Sequence, residues 1–149
     1  MDLFLIRHGE SANNVLTDVS KRVADPNLTD LGREQAEQLS GYLAAGRHLY
    51  PHERSSRPPL DRLYTSAMIR SLQTSAPTGA RLGLPADIWI DVHETGGLFL
   101  TDLETGIPAG RTGVTPAELE QQLPGAKFTA GTISDAGWWS QEKGSPWLL

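Results

Sequence analysis

Three short polar clusters in this chain carry side chains suited to phosphoryl chemistry: Arg7-His8-Gly9-Glu10-Ser11, Thr65-Ser66-Ala67-Met68-Ile69-Arg70, and His93-Glu94-Thr95-Gly96-Gly97. His8 stands between a cation and a glycine. The neighbouring Arg7 disfavours the imidazolium and so keeps the ring nucleophilic, while Gly9 lets an anion approach the backbone closely. Arg70 supplies a bidentate fork for phosphate oxygens near the start of a helix, where backbone N–H groups and the helix dipole also favour an anion. Glu94, after an apolar stretch and before two glycines, suits a carboxyl that holds a proton for a leaving group. Each residue taken alone also has a plain reading: His8 capping carbonyls at a strand end, Arg70 as an exposed helical arginine, Glu94 as a solvated turn carboxylate. His93 faces the other side of its strand from Glu94. His48 and His52 are spaced i, i+4, but Pro51 between them breaks the helix that a shared metal would need, so they belong to a solvated loop.

The elements that must position these clusters follow from local patterning. Leu3, Phe4, Leu5 and Ile6 form a continuous apolar run, expected as a strand buried on both faces. Thr29 or Asp30 can cap a helix carrying Leu31, Ala36, Leu39 and Leu43, which Gly46 stops. Residues 46–59 have loop composition. A second strand is expected over 60–65, a helix over 67–82 with Pro77 near its end or at a break, and a third strand over 87–92. Strand, helix, strand, helix, strand predicts an α/β fold with the three clusters at the carboxyl ends of parallel strands, where ligands bind in open sheets. Beyond residue 95 one element is clear, a short helix launched by the Thr115-Pro116-Ala117-Glu118 capping box and running to about Leu123. No fourth strand is evident.

Composition bounds the reading further. The 149 residues correspond to one domain, and 38% hydrophobic residues with four Trp suffice for a core. With 13 basic and 18 acidic residues the formal net charge is −5, which argues against a nucleic-acid partner. Zero cysteines exclude disulfides and thiolate metal sites. Neither a signal peptide nor an apolar run of the roughly 18 residues that a membrane span requires is present. The expectation is a cytoplasmic protein without a membrane partner, its oligomeric state left open.

Arg7-His8-Gly9-Glu10-Ser11 with Asn14, then Leu28-Thr29-x-x-Gly32-x-x-Gln35-Ala36, then Tyr64-Thr65-Ser66-x-x-x-Arg70-x-x-Gln73-Thr74, then Glu94 before Gly96-Gly97, resemble in order the histidine phosphatase superfamily, the phosphoglycerate mutase-like proteins. The resemblance implies a three-layer α/β/α sandwich with a mostly parallel sheet. It implies that His8 takes the phosphoryl group, that Arg7, Gly9, Ser11, Asn14 and Arg70 bind the substrate phosphate, and that Glu94 serves as acid and then base. Neither metal nor other cofactor is implied, and the partner is a small phosphorylated substrate. The family also carries a second histidine in a later His-Gly pair, and no histidine follows His93 here. The expectation is therefore one domain over 1–149, with its core elements in 1–94, an insertion over the site in 95–149, and C-terminal strands missing. The apolar end Pro146-Trp147-Leu148-Leu149 fits that expectation. Glycolytic mutases carry Glu-Arg-His-Tyr-Gly where this chain has Glu94-Thr95-Gly96-Gly97-Leu98, which favours a phosphomonoester phosphatase over a phosphoglycerate mutase. A reading of another class is an inactive fragment or pseudoenzyme acting as a phosphate-binding or regulatory module.

Overall fold

The computed structural model describes residues 2–94 and 97–139. Helix α1 (Asp30–Ala44) begins where Thr29 Oγ1 accepts the Gly32 N–H at 3.0 Å, so Thr29 rather than Asp30 is the cap. Its buried face is Gly32, Ala36, Ser40 and Leu43, three of them small, which lets it lie close against α2 (Ile69–Leu82). Pro77 sits inside α2, and the Ser40 hydroxyl donates to the Pro77 carbonyl at 2.9 Å. Gly83 ends α2 in the left-handed conformation with φ 64°, its N–H donating to the Gly79 carbonyl.

Strands β1 (Leu63–Thr65) and β2 (Ala86–Ile88) flank α2 in sequence and pair in parallel, Leu63 opposite Ala86 and Thr65 opposite Ile88. This is the α/β unit that the alternating pattern predicts, with shorter strands than expected. The 87–92 stretch leaves the sheet after Ile88 and closes a 3₁₀ turn at Ile90–Val92. On its far side β2 is met by Lys127, whose carbonyl accepts from Ile88 at 2.6 Å and whose N–H donates to the Ala86 carbonyl at 2.8 Å.

Residues 97–139 pack onto the same core as α2 and β2. A hairpin of β3 (Phe99–Thr101) and β4 (Pro108–Gly110), absent from the sequence reading, precedes α3 (Pro116–Gln122). Both arms of the α3 capping box form, the Glu118 N–H donating to Thr115 Oγ1 at 3.4 Å and the Thr115 N–H to Glu118 Oε2 at 2.8 Å. Leu98, Val114, Leu119, Leu123, Ile133 and Trp138 share one core with Met68, Leu72 and Ile88. The Trp138–Trp139 pair belongs to this packing, with ring centroids 5.8 Å apart and edge to face.

The expected first strand is the main correction. Residues 3–6 form no strand, and Leu3 and Leu5 are 73% and 89% exposed. Burial on both faces requires a place within a sheet that is covered from either side, and among the described residues no strand pairs with this run. Among these residues β1 pairs only with β2 and keeps an open edge, with Tyr64 exposed beside Trp89.

An apolar run and an unpaired strand edge of this kind drive association. The 149-residue chain is expected to self-associate in a concentration-dependent way in sedimentation velocity, and the double variant Leu3→Lys, Leu5→Lys to shift it towards monomer. A monomeric wild-type chain at all concentrations would refute this.

Candidate active site

The loop carrying His8 is fixed from two sides. A Cβ on Gly9 would stand 2.6 Å from the Gly32 carbonyl oxygen, and one on Gly32 would stand 2.1 Å from that of Glu10. Two backbones therefore cross where no side chain fits, which accounts for both glycines. Around the crossing, the Thr29 N–H donates to the Glu10 carbonyl at 2.9 Å, the Glu10 N–H to Gln35 Oε1 at 2.8 Å, and the Thr29 hydroxyl to Glu10 Oε1 at 2.7 Å. On the α2 side the Gly9 N–H donates to Thr74 Oγ1 at 3.1 Å, and that hydroxyl donates to the Arg70 carbonyl at 2.7 Å. The His8 loop and α2 are thus joined through one threonine.

His8 is half-buried, and its Nδ1 lies 2.6 Å from the Gly9 carbonyl oxygen. A carbonyl only accepts, so Nδ1 carries the proton. In the neutral ring this leaves the lone pair on Nε2.

Arg70 is brought together with Glu94, as expected. The Arg70 side chain is 7% exposed, and its Nη2 donates to Glu94 Oε2 at 2.5 Å, while the Glu94 side chain is 70% exposed. An exposed carboxylate thus caps one end of a buried guanidinium.

The expected anion at the α2 N-terminus is present, but it is the chain's own. Asp25 Oδ1 accepts the Ile69 N–H at 2.9 Å and stands 3.9 Å from Arg70 Nη1, so that first-turn donor is already satisfied. Asp25 escaped the sequence reading because its contact lies 44 residues away; its one local cue is its place just before Pro26, ahead of the Leu28-Thr29 helix start.

The remaining predicted residues are less directly engaged. Ser11 is buried, and both its N–H and its hydroxyl donate to Asn14 Oδ1, at 3.0 and 2.9 Å, so it braces the loop. Asn14 is exposed and keeps its amide donors uncommitted among the described residues. Arg7 is exposed, with no ion pair or hydrogen bond to another described side chain. Thr95 and Gly96 of the third cluster lie outside the described residues. His93 turns to the tryptophans, 4.9 Å from the Trp139 ring and 5.6 Å from that of Trp138. His48 donates from Nε2 to the Pro59 carbonyl at 2.8 Å. Among the described residues no group of three or more His, Asp or Glu gathers as metal ligands, and no helix is long and apolar enough to cross a membrane.

A profile of the histidine phosphatase superfamily (branch 1) matches residues 3–105. The chain belongs to this family. It is 30% identical over 136 residues to the glucosyl-3-phosphoglycerate phosphatase of Mycolicibacterium vanbaalenii, covering 91% of this chain and 49% of that protein. It is also 30% identical over 105 residues to the PE-PGRS family protein PE_PGRS11 of Mycobacterium tuberculosis, covering 70% of this chain and 16% of that protein. Among solved structures, the ecdysone phosphate phosphatase from Bombix mori in complex with tungstate aligns at 17% identity with a TM-score of 0.49, over 91% of this chain and 59% of that one. The chain spans about half the length, or less, of the curated relatives it matches.

The Asp25 carboxyl is pushed up to about 6, chiefly because burial withholds water from its charged form; the Ile69 N–H and the Arg70 charge pull the other way and compensate only in part. From the ordinary value of 3.8 upward, the unfolded chain releases this proton while the folded chain retains it. Folding is therefore progressively penalised up to about pH 6, and the penalty persists above it, amounting to roughly 3 kcal/mol. Asp25→Asn is expected to match wild-type stability below about pH 4 and to exceed it by up to that amount at pH 7. Urea denaturation across this range checks it, and a pH-independent difference would refute it.

Proposed function

We propose that this site takes the phosphoryl group of a small phosphomonoester onto His8 and passes it to water. The observation that carries the reading is the Nδ1–H bond of His8 to its own loop, which leaves Nε2 as the free nucleophilic nitrogen. In the first step Nε2 bonds to phosphorus as the ester P–O bond breaks, and protonated Glu94 gives its proton to the departing alkoxide. In the second step the Glu94 carboxylate takes a proton from water, whose oxygen bonds to phosphorus as the P–N bond breaks. The sum is ester and water to alcohol and phosphate, with His8 and Glu94 restored. Arg70, with Arg7 as a second cation and Asn14 as a further donor, neutralises the phosphoryl oxygens. Phosphoryl transfer depends mostly on such positioning and charge.

Family membership supports the phosphohistidine route, and the 30% identity to a curated phosphatase supports water over a second hydroxyl as the acceptor. These 149 residues carry the nucleophile, one buried arginine and the acid. The histidine that follows a later strand in the family has no counterpart among them, so the chain alone is expected to turn over weakly.

The test uses p-nitrophenyl phosphate and an alkyl phosphate with the 149-residue chain. Acid-labile, base-stable phosphate is expected on His8 and none on His8→Ala. Glu94→Gln is expected to slow labelling by the alkyl ester about 100-fold or more and to affect the aryl ester little, because nitrophenolate leaves without a proton. Label on another residue, or equal loss with both esters, would overturn the assignment.

A further inference from the structure

We propose that Asp25 is a positioning residue for the arginine clamp, holding Arg70 by Nη1 so that Nη2 faces the phosphoryl site. The inference rests on the reading of Arg70 as the phosphate-binding arginine.

The guanidinium has two unlike ends. On one, Asp25 is 11% exposed, lies 3.9 Å from Nη1, and is itself pinned by the Ile69 N–H at the start of the helix that carries Arg70. On the other, the exposed Glu94 carboxylate bonds Nη2 and is free to leave. One partner is fixed by burial and the other exchanges with solvent, so the fork keeps its direction when Glu94 gives way to an oxyanion.

Capping alone does not account for a carboxylate at this position. An asparagine oxygen could accept the Ile69 N–H without burying a charge, and Asp25 Oδ2 is buried with no hydrogen-bond donor at all. The charge is costly, and the one cation facing it is Arg70. Asp25 itself hangs from a loop that is tied to the same helix, since the Leu28 N–H donates to Gln73 Oε1 at 2.8 Å and Gln73 Nε2 donates to Asn27 Oδ1 at 2.7 Å.

The sign of one substitution separates this role from a field effect. Removing a negative charge beside the clamp would strengthen oxyanion binding if Asp25 acted only through its field. A positioning role predicts the opposite. Tungstate, a tetrahedral dianion, serves as the probe, its affinity for the 149-residue chain being measured at pH 7.5 by calorimetry. Asp25→Asn is expected to weaken it about tenfold or more, while the variant remains folded and melts no lower than wild type. In ¹⁵N-detected spectra, restrained and separate Arg70 Nη signals are expected in wild type and averaged ones in the variant. Unchanged or tighter tungstate binding, or an unchanged Arg70 spectrum, overturns the proposal. Arg70→Ala tells the two failures apart. If it weakens tungstate and Asp25→Asn does not, only the role of Asp25 falls; if it leaves tungstate binding unchanged, the phosphate-clamp reading falls and takes this inference with it.

Discussion

Two backbones cross at Gly9 and Gly32 with no room for a side chain, and the rest of the site hangs from that crossing. It lets the first turn of α1 meet the loop after His8 edge to edge, so that Thr29, Gln35 and Glu10 can bond across it. The loop then needs only Thr74 to tie it to α2 and so to Arg70. Precision at His8 comes from these contacts rather than from a strand behind it, since residues 3–6 lie outside the sheet. Hydrogen bonds to the loop backbone from α1 with its cap and from α2 replace the restraint that strand pairing would supply.

Charge is arranged around a single buried arginine. Arg70 lies between a buried carboxylate, Asp25, and an exposed one, Glu94. An uncompensated guanidinium at 7% exposure would be expensive, and the two acids offset that cost. The formal charge of −5 over the chain thus says little about the site, where one cation and its two partners set the local field.

Local signals in the sequence located most helices. Thr29 as cap, the Thr115–Glu118 box and Gly83 all act over a few residues, so α1, α3 and the end of α2 were legible. Sheet membership is not local: the Leu3-to-Ile6 run has the composition of a central strand, yet no described strand pairs with it. Likewise 87–92 alternates like a strand but yields after Ile88 to a 3₁₀ turn at Ile90–Val92. The β3–β4 hairpin was hidden by Pro108 and Gly110 in a strand, although Asp102 Oδ1, accepting from the Glu104 and Thr105 N–H groups, marks its turn. In the site, the convergence of the Arg70 and Glu94 motifs was legible from their places after strands, though their ion pair was not. Asp25 was not, because nothing near it in sequence announces a partner at Ile69.

The central claim is that the loop holds His8 with its proton on Nδ1 and its lone pair on Nε2. Long-range ¹H–¹⁵N correlation of the imidazole in the 149-residue chain, above the pH at which the ring is neutral, reads this tautomer directly. A pyrrole-type Nδ1 and a pyridine-type Nε2 are expected for His8. The reverse pattern, with the proton on Nε2, would contradict it.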